Sequence, residues 1–485
     1  MREAICRMRA QITSRIPTRS LVRHPGAARS VRQARGKQLL EAFRHPALWL
    51  SLAVILNVLE GAVRKWVPGF GEGLGRGIMY FSKDAVFLAG VGLLFFRNAK
   101  RRPAMESLNH LGASALALIL CGGALSTVFD FNAVGSFLSL RAIVILPLAA
   151  WFYATRVGRF PLTGFATIVI VLALINTPLA LMQSGLPKDH LLNRYAASEV
   201  EAIELAHGVR ATGTFAYITG LGVVSSLGVW AGLVVLGLAR SGGQQLLGAV
   251  GILCGFGCAF ASGSRGTFVT AAVMLACWML SSVKAFRMVW SGTWMAAVTA
   301  LGFLLVLPGL SDRFQIMALG TFDRFESAGD NNIQRSFGQW EEMWQALTTH
   351  PVGSGLGTEQ VGGNFATKGQ AMFTTYETQF PRIVAEFGVL GLAGYFLMVA
   401  AILHALQLTR NPRHASWNLV VTATQVYLLG QFYGNVVFNH TGSAAVWIVV
   451  AGVFAAAPIS KRRKKGSSRE GVRQVATRHV EEAAV

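Results

Sequence analysis

Residues 213–239 read GTFAYITGLGVVSSLGVWAGLVVLGLA and carry no charged side chain. About 20 apolar residues in helical form cross roughly 30 Å of hydrocarbon. In lipid every backbone N–H and C=O must be satisfied, so such a run is a helix rather than open sheet. Outward from it, comparable runs recur near 47–64, 77–96, 108–129, 133–155, 160–184, 245–261, 266–282, 290–309, 383–408, 416–438 and 442–457. The pattern predicts an all-α polytopic membrane protein with about twelve transmembrane helices. Composition agrees: 53% of the 485 residues are hydrophobic and 14% charged, with a mean hydropathy of +0.46. A soluble chain carries nearer a quarter charged residues.

The net charge of +21 invites a nucleic-acid reading, so its distribution matters. It is concentrated at the ends. Residues 1–46 hold Arg2, Arg7, Arg9, Arg15, Arg19, Arg23, Arg29, Arg32, Arg35, Lys37 and Arg44 against Glu3 and Glu41, and the far end carries Lys461 to Lys465. Basic flanks of membrane spans stay on the cytoplasmic side and are drawn to anionic lipid. No DNA-binding motif or aromatic interleaving accompanies the charge, so nucleic acid is not an expected partner. With the N-terminus inside, the inner loops hold Arg97, Lys100, Arg101 and Arg102; Arg156 and Arg159; Arg240; Lys284 and Arg287; and Arg410 and Arg413. Each is positive, which supports an even span count with both termini in the cytoplasm of a bacterial inner membrane.

The domain layout follows: a basic tail over 1–46, membrane helices over 47–309, a large periplasmic loop over 310–382, further helices over 383–457, and a second basic tail over 458–485. Within the loop, Ile333, Phe337, Trp340, Trp344 and Leu347 recur at helical spacing. Such a stripe fits a helix lying at the membrane interface or one packed on the bundle. Cys121, Cys254, Cys258 and Cys277 fall inside apolar spans without metal-ligand or redox spacing, and read as packing residues. No internal repeat supports an inverted-repeat transporter.

Charges inside or beside spans are costly unless paired or useful. Glu60 and Arg64 stand four apart, an ordinary intrahelical pair. Lys83 and Asp84 lie two turns into the second span, Arg141 a third of the way down the fourth, and Arg210 just before the sixth. Arg265 sits in the turn Ser262-Gly-Ser-Arg-Gly266. Arg141, Arg210 and Arg265 near the outer leaflet suggest an anion site, because guanidinium offers phosphate a planar fork of donors. The alternative is pairing with Asp84, Asp130 or a lipid headgroup.

The loop brings a second constellation. Arg335 to Trp340 leads into HPVGSGLGT at 350–358. Gly353, Gly355 and Gly357 supply tight turns, and their amides could also hold an oxyanion. His350 caps or positions that turn. Tyr376-Glu377-Thr378-Gln379 then precedes the last long helical stretch. Glu377 is a candidate general base, with His440 as its rival. The outer loops carry no tight acidic pair to hold a divalent ion, so no metal and no cofactor are expected.

These segments carry a resemblance. The SGSRG turn, the Arg335…Trp340…HPVGSGLGT segment and ETQFPRIVAEFGVLGL at 377–392 resemble the bacterial O-antigen ligase and polymerase superfamily. EGAVRKWVPG at 60–69 and VRATGTF at 209–215 are similar to its exopolysaccharide or O-antigen polymerase branch. The resemblance runs from about Glu60 to Gly391. It implies a C-type glycosyltransferase fold acting at the periplasmic face on a glycan linked to undecaprenyl diphosphate. It also implies that Arg210 and Arg265 hold the donor diphosphate, and that a chain-length regulator and a flippase are partners. It departs in one place: ligases carry a His-Asn pair where this chain has Glu377-Thr378. That departure favours the polymerase branch. A ligase acting on lipid A core and a small-solute transporter are the alternatives.

Overall fold

The computed structural model describes residues 45–71, 73–95, 106–157, 160–195, 204–205, 208–290, 329–359, 378–411, 414–434 and 440–458. Its helices are α1 (Pro46–Trp66), α2 (Gly73–Phe95), α3 (Glu106–Ser126), α4 (Ala133–Arg156), α5 (Leu162–Ser184) and α6 (Ile218–Leu238). They continue with α7 (Gly242–Ser262), α8 (Arg265–Leu280), α9 (Gly329–Thr349), α10 (Gln379–Leu408), α11 (Ala415–Tyr433) and α12 (His440–Ala456). Eight are long and apolar enough to cross a membrane: α1, α2, α4 to α7, α10 and the Asn109–Ser126 part of α3. The protein is an all-α polytopic membrane protein. Eleven of the expected spans coincide with α1–α8 and α10–α12, whereas the expected span at 290–309 lies outside the described residues. So do most of the 310–382 loop and nearly all of both basic tails.

Local chemistry sets the helix ends. His45 accepts a hydrogen bond from the Ala47 amide and Pro46 takes the first turn of α1, where a missing N–H costs nothing. Asn132 caps α4 through the Gly135 amide. Gly263, at φ 59°, closes α7 in the left-handed region. The sixth span begins later than expected. Residues 213–217 are not helical, because the segment before Ile218 is bonded to α1 and α5 instead of to its own next turn.

α6 is buried along almost its whole length and packs against α5, α7, α8, α11 and α12. Between helices in lipid there is little hydrophobic force, so close backbone packing and interhelical hydrogen bonds hold them. A side chain added at Gly232 of α6 would stand 2.5 Å from the Gly248 carbonyl of α7, so small residues set that crossing. Trp230 donates to Thr424 at 3.1 Å, Trp447 to the Ala142 carbonyl at 2.9 Å, and Thr177 to the Cys254 carbonyl at 3.0 Å. Each such bond contributes roughly 0.6–2 kcal/mol. The amphipathic stripe forms α9, which packs on α10: Trp340 lies 5.3 Å from the Phe380 ring, while Trp344 remains exposed.

Candidate active site

Arg210 follows a two-stranded ribbon, Glu204–Leu205 against Gly208–Val209, and leads into α6. Its Nε donates to the Ser262 carbonyl at 3.0 Å, and the next amide, of Ala211, donates to the Ala261 carbonyl at 3.0 Å. The segment therefore runs along the end of α7. The left-handed turn at Gly263 then reverses the chain so that Arg265 opens α8. Burial pulls the Arg210 pKa below the ordinary guanidinium value and the nearby Arg265 charge adds to that, while the hydroxyls of Tyr195 and Tyr217 oppose it. An arginine stays charged regardless. Two half-buried guanidiniums from separate segments thus share one corner, and the positive end of the α8 dipole joins them.

That corner is rigidly built. The Gln183 amide oxygen accepts from the Thr212 and Gly213 amides at 3.1 and 2.7 Å, and its nitrogen donates to the Gly213 carbonyl at 3.1 Å. Asn176 accepts from the Thr214 amide and hydroxyl at 2.9 and 3.0 Å. Lys65, buried at the end of α1, donates to Thr212 Oγ1 at 2.9 Å and to the Gly213 carbonyl at 2.7 Å. Tyr217 is exposed and meets Tyr195 edge-on at 5.4 Å.

A second group of charges lies among α1, α2, α4 and α12. Glu60 accepts from Arg64 Nη1 at 2.9 Å and from Lys83. Asp84 takes the Nε and Nη2 of Arg141 in a fork at 2.7 and 2.8 Å. The sequence reading grouped Arg141 with Arg210 and Arg265. The structure instead closes its fork on Asp84, with further contacts from Nη1 to Ser443 and from Nη2 to the His440 carbonyl. Arg141 also begins a π-turn, Arg141–Ile145, inside α4. His440 stacks on Tyr80 with ring centres 3.3 Å apart, and its Nε2 lies 2.7 Å from the Tyr80 carbonyl and 3.6 Å from Glu60. A carbonyl only accepts, so Nε2 carries the proton and Nδ1 holds the lone pair. Among the described residues, Nδ1 is buried without a hydrogen-bond partner.

The glycine segment is wedged between α3, the start of α4 and α10. The Gly353 amide goes to the His350 carbonyl at 2.9 Å, the Gly355 amide to Ser126 Oγ at 3.0 Å, and the Leu356 amide to the Asp130 carbonyl at 3.1 Å. The amides of Gly353 and Gly355, weighed as oxyanion donors, are therefore spent on the protein. His350 ends α9, its amide on the Ala346 carbonyl at 2.8 Å. Gly357 packs so closely that a side chain there would stand 2.1 Å from the Ser136 amide. Opposite, Gly388 kinks α10 at φ 64° and the Val389 amide reaches the Pro351 carbonyl at 2.8 Å. Glu386, two residues earlier and fully buried, accepts from Ser139.

Comparison with known proteins bears on this arrangement. Residues 250–396 match the family described as O-antigen ligase, a stretch that contains Arg265, the glycine turn and Glu386. A curated O-antigen polymerase of Salmonella muenchen is 24% identical over 263 residues, which are 53% of this chain and 64% of that protein. This chain is thus similar to the O-antigen ligase family over residues 250–396 and to an O-antigen polymerase over about half of its length. The match thus spans less than two thirds of the Salmonella polymerase's length.

Glu377 and Tyr376 lie outside the described residues, as does the side chain of Arg335. Thr378, next to Glu377, precedes α10 and donates to Glu342 of α9 at 3.3 Å. Sequence reading missed Gln183, Asn176 and Lys65. The first two offered a signal: they stand seven residues apart in an otherwise apolar span, on one helix face.

Proposed function

We propose that this chain is a polysaccharide polymerase, transferring a glycan from undecaprenyl diphosphate onto a sugar hydroxyl at the periplasmic face of a bacterial inner membrane. The observation that carries this reading is the corner where Arg210, bonded to the Ser262 carbonyl, meets Arg265 at the start of α8. Like charges held together in a preorganised turn suit a ligand with two adjacent anionic groups, and a diphosphate is such a ligand.

In the proposed reaction the acceptor hydroxyl attacks the anomeric carbon and the bond to the diphosphate oxygen breaks. Undecaprenyl diphosphate departs and the hydroxyl proton passes to a base. Charge builds on the leaving diphosphate, so fixed guanidiniums act most strongly in the transition state. Direct displacement inverts the anomeric centre, and no metal is required. Glu377 is the proposed base, with His440 Nδ1 as the second candidate. Arg141 is reassigned to holding α2 against α4 and α12.

The Salmonella relative's name supports polymerisation, while the family description supports a ligase as the second reading. Electrophoresis of surface polysaccharide from a deletion strain separates them. Loss of long chains on their own lipid carrier is the polymerase outcome; intact polymer that never reaches lipid A core is the ligase outcome. Arg265→Ala and Arg210→Ala, made in the restored strain, are expected to abolish polymer while the protein stays in the membrane. Polymer of wild-type length in either would refute the diphosphate assignment. The orientation, with both tails cytoplasmic and 310–382 periplasmic, is tested by labelling single cysteines with a membrane-impermeant reagent.

A further inference from the structure

The EGAVRKW segment of α1 holds a guanidinium that the proposed reaction does not use. Arg64 is buried, and among the described residues its only side-chain hydrogen-bond partner is Glu60, reached through Nη1. Its Nε is buried with no partner, and Nη2 makes no hydrogen bond among the described residues. Nε and Nη2 form the side of a guanidinium that grips a planar oxyanion in two parallel bonds. Arg141, three helices away in sequence, uses that same side to hold Asp84. In Arg64 the equivalent fork is open.

Charge counting points the same way. Arg64, Lys83 and Arg141 face Glu60 and Asp84, which leaves one positive charge in excess in a buried group. An uncompensated buried cation is costly, and the usual remedies are an anionic partner or a functional use. The fork is also oriented in advance: Glu60 fixes Nη1, Lys83 fixes Glu60, and the Tyr80 ring lies 5.9 Å under the guanidinium carbon. The adjacent residue, Lys65, ties the same turn of α1 to Thr212 and Gly213 of the Arg210 segment.

We propose that the open Nε/Nη2 fork of Arg64, held by Glu60, is a second oxyanion-binding site that takes a phosphate or carboxylate group of the substrate. This rests on the glycan-transfer reading for what the substrate is, but the binding itself does not. Two sources fit the chemistry: a lipid diphosphate, or an acidic sugar in the glycan.

The test is a titration of the purified full-length protein in detergent, first with inorganic pyrophosphate and then with glucuronate, followed by tryptophan fluorescence. Arg64→Lys keeps a cation beside Glu60 and so guards against misfolding, yet lacks the fork; Arg64→Gln removes both. The expected result is at least a tenfold loss of affinity in both variants for one of the two probes, with Tm within a few degrees of wild type. Loss for pyrophosphate assigns the site to a diphosphate, and loss for glucuronate assigns it to an acidic sugar. Arg64→Lys binding both probes as tightly as wild type would overturn the proposal, as would a wild-type protein that binds neither. If Arg64→Gln alone loses affinity, charge suffices and the fork is not the recognition element, which also overturns it. Glycan transfer from a lipid-linked donor, measured on Arg210→Ala in parallel, reports separately on the reaction, so either idea can fail without the other.

Discussion

Arg141 and Arg210 are both arginines of one membrane bundle, yet their surroundings are opposite in sign. Arg141 is buried with its fork closed on Asp84 and its remaining donors on Ser443 and the His440 carbonyl. Arg210 is half-buried, its Nε bonded to a backbone carbonyl, with the like charge of Arg265 close by. An opposite-charge pair satisfied within the protein joins helices. Like charges near one another repel, and an anionic ligand reverses the sign of that interaction. The contrast separates an arginine that holds the bundle from one that the proposed function assigns to the substrate.

The largest expected effect falls on the closed pair. Asp84→Asn leaves Arg141 buried and uncompensated, and should cost about 3–5 kcal/mol of stability. It is read as a lower Tm and less protein in the membrane. Combining Asp84→Leu with Arg141→Met should recover stability to within about 1 kcal/mol, since a well-packed apolar pair often replaces a buried ion pair at little cost. Failure of that rescue would mean Arg141 does more than join helices.

Under the proposed function, Arg210 and Arg265 should respond in rate rather than in folding. Arg265→Lys keeps the charge but loses the fork, and transfer from a lipid-linked donor should fall roughly 10²–10³-fold, as for loss of one transition-state donor, with Tm unchanged. Near-normal transfer would erase the distinction drawn between the two regions.

A smaller effect is expected where the Arg210 segment is supported. Gln183→Leu strips the acceptor from the Thr212 and Gly213 amides, each worth about 1–3 kcal/mol when left unsatisfied. Faster amide exchange over 210–214, together with a partial loss of transfer, would show that the turn is preorganised for Arg210. The smallest effect belongs to Trp344, exposed on α9: Trp344→Ala should shift stability by less than about 0.5 kcal/mol in a thermal melt.

Much of the fold was legible because the bilayer imposes a simple rule on composition. Apolar runs were visible where α1–α8 and α10–α12 form, eight of these helices being long and apolar enough to cross a membrane, and the Ile333–Leu347 stripe as the helix α9. Span edges were less legible. Residues 213–217 look like helix by hydropathy, but side chains of α5 and α1 capture them. The Glu60–Arg64 pair was readable from its spacing. That Lys83 shares Glu60, across 23 residues, was not, and Asp84 was only one of several alternative partners for Arg141, across 57; which pairs form is settled only when α1, α2 and α4 pack together.

The sequence by itself determined a polytopic helical membrane protein, the superfamily resemblance, and a small set of arginines too costly to be idle. Apolar run length and the expense of charge in lipid act locally, so a linear reading captures them. Only the tertiary structure decided that Arg141 is spent on Asp84. A guanidinium's role depends on the sign and distance of its neighbours, and those are set where helices far apart in the chain cross.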